Sequence, residues 1–268
     1  MRIAVLTEVF LPKIDGVVTR TIRHLDQLAA MGHEVLIFAT GNPPREYAGF
    51  EVVKVPSLSL RPVYPEIKFG LVGPQIPRRL AQFKPDVVHA ISPIWTAGWS
   101  TLLADMQGLP IVASFHTDIP EYCLKLGIPW VKPISEWGLR TFHGKAQLNL
   151  VTSGPMMEKA AEYGIPNVRL WPKAVDTESF TPSARTTEAR ARLTGGHPED
   201  PLVLFVGRVS AEKSVERCFP IMEEVRRRIP NARLALIGEG PQYEQLRREM
   251  TQDWVTFTGY LSGADLHS

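Results

Sequence analysis

The sequence predicts an α/β protein made of two doubly wound parallel sheets, the second of them incomplete. Short apolar runs alternate with amphipathic helical stretches along most of the 268 residues, a pattern typical of parallel sheets covered by helices on both sides. A polar stretch at 181–201, containing Thr, Pro, Gly and charged residues, interrupts the alternation. About 70 residues follow it, whereas a doubly wound domain usually needs at least ~100. We therefore expect domains at 1–180 and 202–268, joined by a linker at 181–201, and interpret the sequence as a fragment.

The first domain contains apolar runs with the length and composition of buried strands. The helical pattern is clearest from Val17 to Met31, where the apolar residues share one face and Gly32 ends the helix. The predicted strands are Arg2–Leu6, Glu34–Ala39, Val52–Val55, Val87–Ala90, Ile111–Phe115, Leu148–Val151 and Val168–Trp171.

The second domain repeats the alternation over a shorter length. Its first apolar run, Leu202–Val206, reads as a fully buried strand. The residues after Gly259 indicate the beginning of another helix. The remaining predicted elements are the helices Val215–Arg228 and Gln242–Met250 and the strands Arg233–Ile237 and Val255–Phe257.

The composition is that of an ordinary soluble globular protein. The chain has 30 basic and 28 acidic residues, a formal charge of +2 and 44% hydrophobic residues. No run approaches the roughly 20 apolar residues of a membrane span, so contact with a membrane would be peripheral. Cys123 and Cys218 are far apart and are expected to be packing residues in a reducing compartment. Met1 leads directly into a strand, so we expect no signal or transit peptide and a cytoplasmic location.

Two cations follow the first strand of the second domain. Gly207 breaks the strand, and Arg208 and Lys213 fall in the loop before the next helix. Helix N-termini attract anions, and the planar guanidinium matches phosphate oxygens, so this loop is a candidate phosphate site. A solvated turn with a surface ion pair accounts equally well for the spacing alone.

Three further loops follow predicted strands, where ligands of doubly wound sheets bind. Gly16 precedes a helix and would let backbone approach a ligand, although Asp-Gly also marks an ordinary turn. His116 follows the fifth strand and could form a hydrogen bond with a sugar hydroxyl, or be a structural histidine. Gly238 and the pair Tyr260-Leu261 leave room for a base or ribose, or form plain turns. The G-x-G-x-x-G fingerprint is absent from the sequence, which disfavours an NAD oxidoreductase.

Taken together, these motifs resemble glycosyltransferase family 4, whose members use nucleotide sugars and have the GT-B fold of two Rossmann-like domains facing a cleft. The resemblance covers the whole chain. Further segments resemble the sulfoquinovosyltransferases (sulfolipid synthases) of plastids and cyanobacteria. The segments that carry the family resemblance are Asp15-Gly16, His116, Gly207-Arg208 with Lys213, IGEGP (237–241) and TGYLS (258–262). The segments that resemble the sulfoquinovosyltransferases are FLPKIDGVVTR (10–20), LWPKAVDTESF (170–180) and GHPEDP (196–201).

The resemblance assigns roles to individual residues. Gly16 would let backbone amides face the donor diphosphate, and His116 would contact the transferred sugar and steady positive charge near its anomeric carbon. Arg208 and Lys213 would neutralise the departing diphosphate. Gly238 would belong to the donor site, and Tyr260 and Leu261 would present backbone groups to the uracil.

The resemblance also implies a retaining reaction, a UDP-sugar donor as substrate and no nucleic-acid partner. No cofactor is expected, and because no Asp-x-Asp occurs in the sequence, we expect no metal site. Ser214 stands where the family commonly has glycine. The family's pair of glutamates separated by seven residues would lie beyond Ser268, so we expect low or absent activity of this chain.

The implied acceptor is diacylglycerol at a membrane surface, either in the bacterial cytoplasm or in a plastid if a leader peptide precedes this sequence. Basic aromatic segments bind such interfaces, although aromatic spacing is more often core. Tyr122 to Lys145 has this composition, interrupted by Pro129 and Pro133, and Leu58 to Phe83 is a similar candidate. A lipid glucosyl- or mannosyltransferase and an inactive nucleotide-binding fragment remain alternatives. The candidate acceptor or membrane residues are Asp118, Tyr122, Trp130 and Trp137.

Overall fold

The computed structural model of the protein describes residues 1–60, 64–125, 127–172 and 175–267. The chain divides into two compact units, Met1–Lys173 and Ala174–Ser268. Each unit has its own parallel sheet and hydrophobic core.

The first unit alternates strands and helices along most of its length. Its elements are β1 (Arg2–Thr7), α1 (Gly16–Ala30), β2 (Glu34–Thr40), β3 (Glu46–Tyr47), β4 (Phe50–Val55), β5 (Ser57–Leu60), β6 (Tyr64–Gly70), α2 (Gln75–Phe83), β7 (Val87–Ile91), α3 (Thr96–Asp105), β8 (Ile111–Phe115), α4 (Ile119–Lys125), α5 (Lys132–His143), β9 (Leu148–Val151), α6 (Gly154–Glu162) and β10 (Val168–Leu170).

The strands of the first unit form an eight-stranded sheet, within the described ranges, in the order β10-β9-β8-β7-β1-β2-β4-β3. All neighbouring pairs are parallel except β3 with β4. The order runs outward in both directions from β1 and β7, so the chain is doubly wound, and the junction of these two strands is where such sheets bind ligands.

Helices cover both faces of this sheet. Ile3 and Val5 of β1 pack in one cluster with Leu25 of α1. The alternate residues, Ala4 and Leu6, pack in the opposite cluster with α2 and α3. Because successive side chains of a strand point to opposite faces, this division follows directly from the apolar composition of β1. The predicted doubly wound α/β arrangement of the first domain is confirmed.

Several elements of the first unit had no clear signal in the sequence. Strands β5 and β6 pair antiparallel in a small separate sheet. This hairpin and α2 occupy the segment for which membrane contact was expected, and residues 61–63 of it lie outside the described ranges.

The segment after β8 contains separate short helices. A 3₁₀ turn at Pro129–Val131 separates α4 from α5, and Pro133 lies at the start of α5. Proline fits the first turn of a helix but not its interior, so the predicted interruption is confirmed. Across the described ranges of the chain, no helix combines the length and apolar character needed to span a bilayer.

The second unit is smaller. Its three strands form a parallel sheet, within the part of the chain described, in the order β11-β12-β13. Short 3₁₀ turns precede α7 and α8. Its elements are α7 (Thr187–Leu193), β11 (Leu202–Val206), α8 (Cys218–Arg228), β12 (Arg233–Ile237), α9 (Tyr243–Glu249), β13 (Val255–Gly259) and α10 (Ala264–His267).

Strand β11 has the predicted bounds but not the predicted burial. Leu204 is 50% exposed and Val206 is 59% exposed. Strand β11 lies at the edge of the sheet, where β12 is its neighbour. The prediction that this strand is fully buried was therefore wrong, because an apolar run does not reveal how many neighbours a strand has.

The segment 181–201 contributes to the second unit. Ala189 and Leu193 of α7 are buried, and Leu193 packs with Ala235 and Ile237 of β12. Helix α7 therefore covers part of one face of the sheet.

Candidate functional site

The predicted site residues of the first unit lie beyond the carboxyl ends of neighbouring strands. Thr7 at the end of β1 is level with Ile91 of β7, and Ile91 is level with Ser114 of β8. The loop after β1 leads to Gly16 at the start of α1, and His116 directly follows β8. Both residues therefore belong to the same edge of the sheet.

Gly16 is the first residue of α1. The Asp15 carboxylate accepts hydrogen bonds from the amides of Val17 and Val18, both at 2.9 Å, and so caps the helix. Among the described residues, no atom lies within 4 Å of a Cβ placed on Gly16, apart from its chain neighbours and the backbone of α1 itself. The Asp-Gly pair thus forms a helix start with open space beside the glycine, which a ligand could occupy.

His116 is connected to a buried histidine through a serine. Ser114 Oγ lies 2.9 Å from His116 Nε2 and 3.2 Å from His89 Nε2. Ser114 and His89 are both buried. A hydroxyl has a single proton, so it can donate to only one of the two rings and must accept from the other. Ser114 therefore couples the orientations and tautomers of the two imidazoles.

Trp171, which follows β10, packs against three histidines. Its ring centroid lies 5.5 Å from that of His24, 5.7 Å from that of His89 and 6.1 Å from that of His116. Arg20 stacks on the indole with Cζ 3.8 Å from the ring centroid, and its Nη2 donates to the Trp171 carbonyl at 2.6 Å. The resulting cluster joins residues that are far apart in the sequence.

The surroundings of His89 and His24 lower the pKa of both imidazoles. Burial lowers the pKa of His89 to about 3, helped by the positive charges of His24, His116 and Arg20. Burial, followed by the charge of Arg20, also lowers the pKa of His24. His89 is therefore neutral near pH 7 and can act as donor or acceptor toward Ser114.

Glu8 follows β1 at the same sheet edge. Its carboxylate accepts hydrogen bonds from four successive backbone amides at the start of α3, at distances from 2.7 to 3.1 Å. A carboxylate at a helix N-terminus satisfies amides that have no partner within the helix. An acidic residue directly after an apolar strand was the available signal, but it does not reveal which helix the residue caps. The four amides belong to residues 94–97.

The predicted site residues of the second unit also meet at one sheet edge. Val206, Ile237 and Gly259 are level across the three strands. Gly238 and Tyr260 directly follow their strand ends, and Arg208 lies two residues after Val206.

The loop after β11 exposes its two cations on an anchored backbone. Arg208 and Lys213 are exposed, whereas Val209 and Ser210 between them are buried. The Val209 amide donates to the Glu239 carbonyl at 2.9 Å. The backbone thus holds both cations at the carboxyl edge of the sheet.

Gly238 and Gly240 are required by the packing of two loops. A Cβ on Gly238 would lie 2.0 Å from the Gly207 carbonyl oxygen, and one on Gly240 would lie 2.3 Å from that of Val209. These distances are far below any van der Waals contact. Room for a base or ribose is thus not needed to explain the glycines, and donor binding by Gly238 stays a prediction.

Tyr260 and Leu261 have different environments. Tyr260 is exposed, and its amide lies 3.5 Å from Glu239 Oε1. Leu261 packs against the cluster that contains Leu193 and Ile237. The side chain of Leu261 therefore anchors this loop while Tyr260 remains accessible.

The candidate acceptor residues separate into structural and exposed ones. Asp118 Oδ1 accepts from the Tyr163 hydroxyl at 2.7 Å and from the Glu121 amide at 3.2 Å, so it links α4 to the residue that follows α6. Trp130 and Trp137 are exposed, and the side chain of Tyr122 is partly exposed.

Within the described ranges, no three His, Cys, Asp or Glu side chains are arranged to hold a metal ion. Cys123 and Cys218 are free thiols, and Cys123 is buried.

Protein-family models match both units. The model of Glycosyltransferase Family 4 matches residues 14–179, and that of Glycosyl transferases group 1 matches residues 200–268. The first match alone covers more than half of the chain.

Relatives of known name match over nearly the whole chain. Sulfoquinovosyl transferase SQD2 of Arabidopsis thaliana is 37% identical over 94% of this chain and 50% of its own length. A GDP-mannose-dependent alpha-mannosyltransferase of Mycolicibacterium smegmatis is 33% identical over 99% of this chain and 70% of its own length. The chain thus spans about half of the first relative and more of the second.

A solved structure shows the same fold. The crystal structure of Anabaena HepE in complex with UDP and glucose has a TM-score of 0.65 and 14% sequence identity, covering 98% of this chain and 71% of that one. The expected GT-B fold, with its Rossmann-like domains, is therefore confirmed. The family models and the relatives together establish that the chain belongs to glycosyltransferase family 4.

Proposed function

We propose that this chain carries the donor and acceptor domains of a retaining, metal-independent glycosyltransferase. It moves sulfoquinovose from UDP to diacylglycerol at a membrane surface, in the bacterial cytoplasm or in a plastid. The observation that carries the proposal is the pair of exposed cations, Arg208 and Lys213, on the anchored loop at the carboxyl edge of the second sheet.

The two cations supply what a departing nucleoside diphosphate needs. As the bond between the sugar and the phosphate breaks, negative charge develops on the leaving oxygen. Fixed positive groups that are already oriented stabilise this charge, commonly the largest contribution to catalysis. Arg208 offers a planar fork for two phosphate oxygens and Lys213 a point charge. Tyr260 and Leu261, with Gly238, hold the uracil beside them.

The first unit acts on the sugar. Gly16 provides the open backbone at the N-terminus of α1 for the diphosphate. His116, held through Ser114, contacts the sugar and steadies positive charge at its anomeric carbon. The acceptor hydroxyl attacks from the face that the phosphate leaves, and the departing phosphate takes its proton. This route retains the anomeric configuration and needs no separate protein base.

The names of the relatives support the choice of sugar. The Arabidopsis relative is named a sulfoquinovosyl transferase and is 37% identical. A mannosyltransferase is the second candidate, because a relative named GDP-mannose-dependent is 33% identical over nearly the whole chain. Both candidate enzymes would use the same two cations, so only a comparison of donor substrates can distinguish between them.

A transfer assay tests the proposal. The chain is incubated with vesicles containing dioleoylglycerol and with UDP-sulfoquinovose, UDP-glucose or GDP-mannose, and the lipid product is identified by mass spectrometry and its anomer by NMR. Because low activity is expected of this chain, we expect slow transfer, in which the sulfoquinovosyl lipid with the donor's α configuration forms about tenfold faster than the other products. Preferential mannosyl transfer would establish the second candidate instead. Nucleotide binding without transfer would identify a non-catalytic binding protein and reject the proposed activity.

A further inference from the structure

An apolar groove lies on the first unit, outside the site described above. It runs between α3 and the segment that joins β6 to α2, and its volume is about 890 Å³, within the range of about 300–1,000 Å³ usual for small-molecule sites. The side chains that line it are aliphatic or aromatic or belong to proline. Its principal walls are Phe69, Leu71, Val72, Trp95, Trp99 and Leu103.

The walls of the groove are held in place by hydrogen bonds. The Trp95 indole Nε1 donates to the Gly70 carbonyl at 3.2 Å, and the Gly70 amide donates to Thr96 Oγ1 at 3.0 Å. The Trp95 ring lies edge-on to Phe69, with centroids 5.4 Å apart. The single indole donor is thus used inside the wall, so the surface that Trp95 offers to an occupant is apolar.

The groove opens to solvent through large apolar side chains. Leu71 is 53% exposed and Met106 is 81% exposed. Apolar side chains that form one continuous concave surface mark a binding site more often than scattered ones do.

One wall of the groove is hydrogen-bonded to the residue that follows β1. Glu8, which directly follows β1, binds the amides of Trp95 and Thr96 at 2.7 and 3.0 Å. The wall of the groove therefore begins where β1 ends. An acceptor with its hydroxyl at the sheet edge could extend its tail into the groove.

We propose that this groove binds one acyl chain of the lipid acceptor, an inference that rests on the proposed function. A peptide would bring backbone amides and carbonyls that need hydrogen-bond partners, and the side chains lining the groove offer few. An acyl chain needs none. Pro77 of α2 lines the groove, and its neighbour Arg78 is exposed; a cation near a lipid site complements anionic headgroups.

Fluorescence quenching tests the groove directly. The full chain is titrated with a monoacylglycerol that carries bromine on its acyl chain, below its critical micelle concentration. Bromine quenches tryptophan on contact, and Trp95 and Trp99 line the groove. We expect saturable quenching that is largely lost in the double variant Trp95→Phe, Trp99→Phe. Affinity should rise about fourfold per added methylene while the chain still fits.

Two variants separate blocking of the groove from damage to the fold. Leu71→Asp places a charge at the groove and should weaken binding of the brominated probe at least about tenfold. Ile221→Asp is the matched control, because Ile221 is similarly exposed but lies on α8 of the second unit; it should leave probe binding unchanged. Both variants should bind UDP as the wild type does.

Three results would overturn the inference. The first is quenching that survives the Trp95 and Trp99 substitutions. The second is quenching by vesicles that contain the brominated lipid, with none by the monomer, which would indicate surface insertion. The third is loss of self-association in Leu71→Asp, measured by sedimentation and with no effect on the probe, which would identify a second copy as the occupant. Absence of UDP binding by the wild-type chain, with intact probe binding, would reject the proposed function while leaving the groove a lipid site.

Discussion

The carboxylate of Glu8 accepts a hydrogen bond from the amide of Trp95 at 2.7 Å. This contact joins the end of β1 to the start of α3, although the two residues are far apart in the sequence. It connects the edge of the sheet, where Gly16 and His116 lie, with the wall of the apolar groove.

Replacing Glu8 with glutamine should destabilise the first unit. Glu8 Oε2 accepts the Thr96 amide at 3.0 Å, and a side-chain NH₂ group placed there would oppose that N–H. We expect the free energy of unfolding to fall by about 1–3 kcal/mol, the usual cost of an unsatisfied polar group. Urea unfolding measures it, with the exposed Glu46→Gln as control. Equal stability of the two variants would show that the cap at α3 contributes little.

Replacing Ser114 with alanine should change the tautomer balance of His116. The hydroxyl is the shared partner of His89 Nε2 and His116 Nε2. Without it, the ratio of the two His116 tautomers should differ from that of the wild type, and two-dimensional NMR of the imidazole nitrogens reports this. Ser114→Thr, which keeps the hydroxyl, should retain the wild-type spectrum.

A second alanine variant controls for the loss of a buried hydroxyl. Ser100 is also buried, and its Oγ donates to the Thr96 carbonyl at 2.6 Å. Ser100→Ala should leave the imidazole spectrum unchanged. An unaltered His116 signal in Ser114→Ala would refute the coupling.

Acid should destabilise the first unit through His89. Its pKa is about 3 in the folded protein against an ordinary value of 6.5, so on acidification the unfolded chain takes up the proton first. Stability should therefore fall as the pH drops from about 6.5 toward about 3, by up to about 1.4 kcal/mol per pH unit. His89→Gln should remove this part of the slope. Urea unfolding of both proteins between about pH 7.5 and pH 5 measures the difference, and parallel slopes would contradict it.

Two glycine substitutions should have opposite consequences. Gly16→Ala should leave the fold intact, because a Cβ there meets nothing within 4 Å, and should weaken donor binding by occupying the open space. Gly238→Ala should destabilise the second unit, because its Cβ would lie 2.0 Å from the Gly207 carbonyl oxygen. Thermal unfolding and calorimetric titration with UDP separate the two effects. Weaker UDP binding without a change in stability for Gly238→Ala would contradict the packing role.

The fold was largely predictable because buried parallel strands appear as apolar runs. Four strands have the predicted bounds, among them Ile111–Phe115 and Arg233–Ile237. The exposure of β11 was not predictable, since exposure depends on neighbouring strands. The hairpin of β5 and β6 was also missed, because it pairs outside the main sheet and lacks a long apolar run.

The positions of the site residues followed from a single rule, that loops after parallel strands meet at one edge. This rule correctly located Gly16, His116 and Arg208. The contacts among side chains could not be derived in the same way. Whether Ser114 lies between His89 and His116 depends on strand register, and whether Trp171 meets Arg20 depends on the path of the chain after β10.

The most direct test of whether the loop after β11 binds the donor diphosphate is a comparison of UDP affinity. The affinity is measured for the wild type and for Lys213→Ala. Calorimetry should show binding about 10- to 100-fold weaker in the variant, as expected for the loss of one charge-assisted phosphate contact. Arg227→Ala, an exposed arginine in the last turn of α8, should bind UDP as the wild type does. Equal affinity of wild type and Lys213→Ala would contradict the diphosphate assignment.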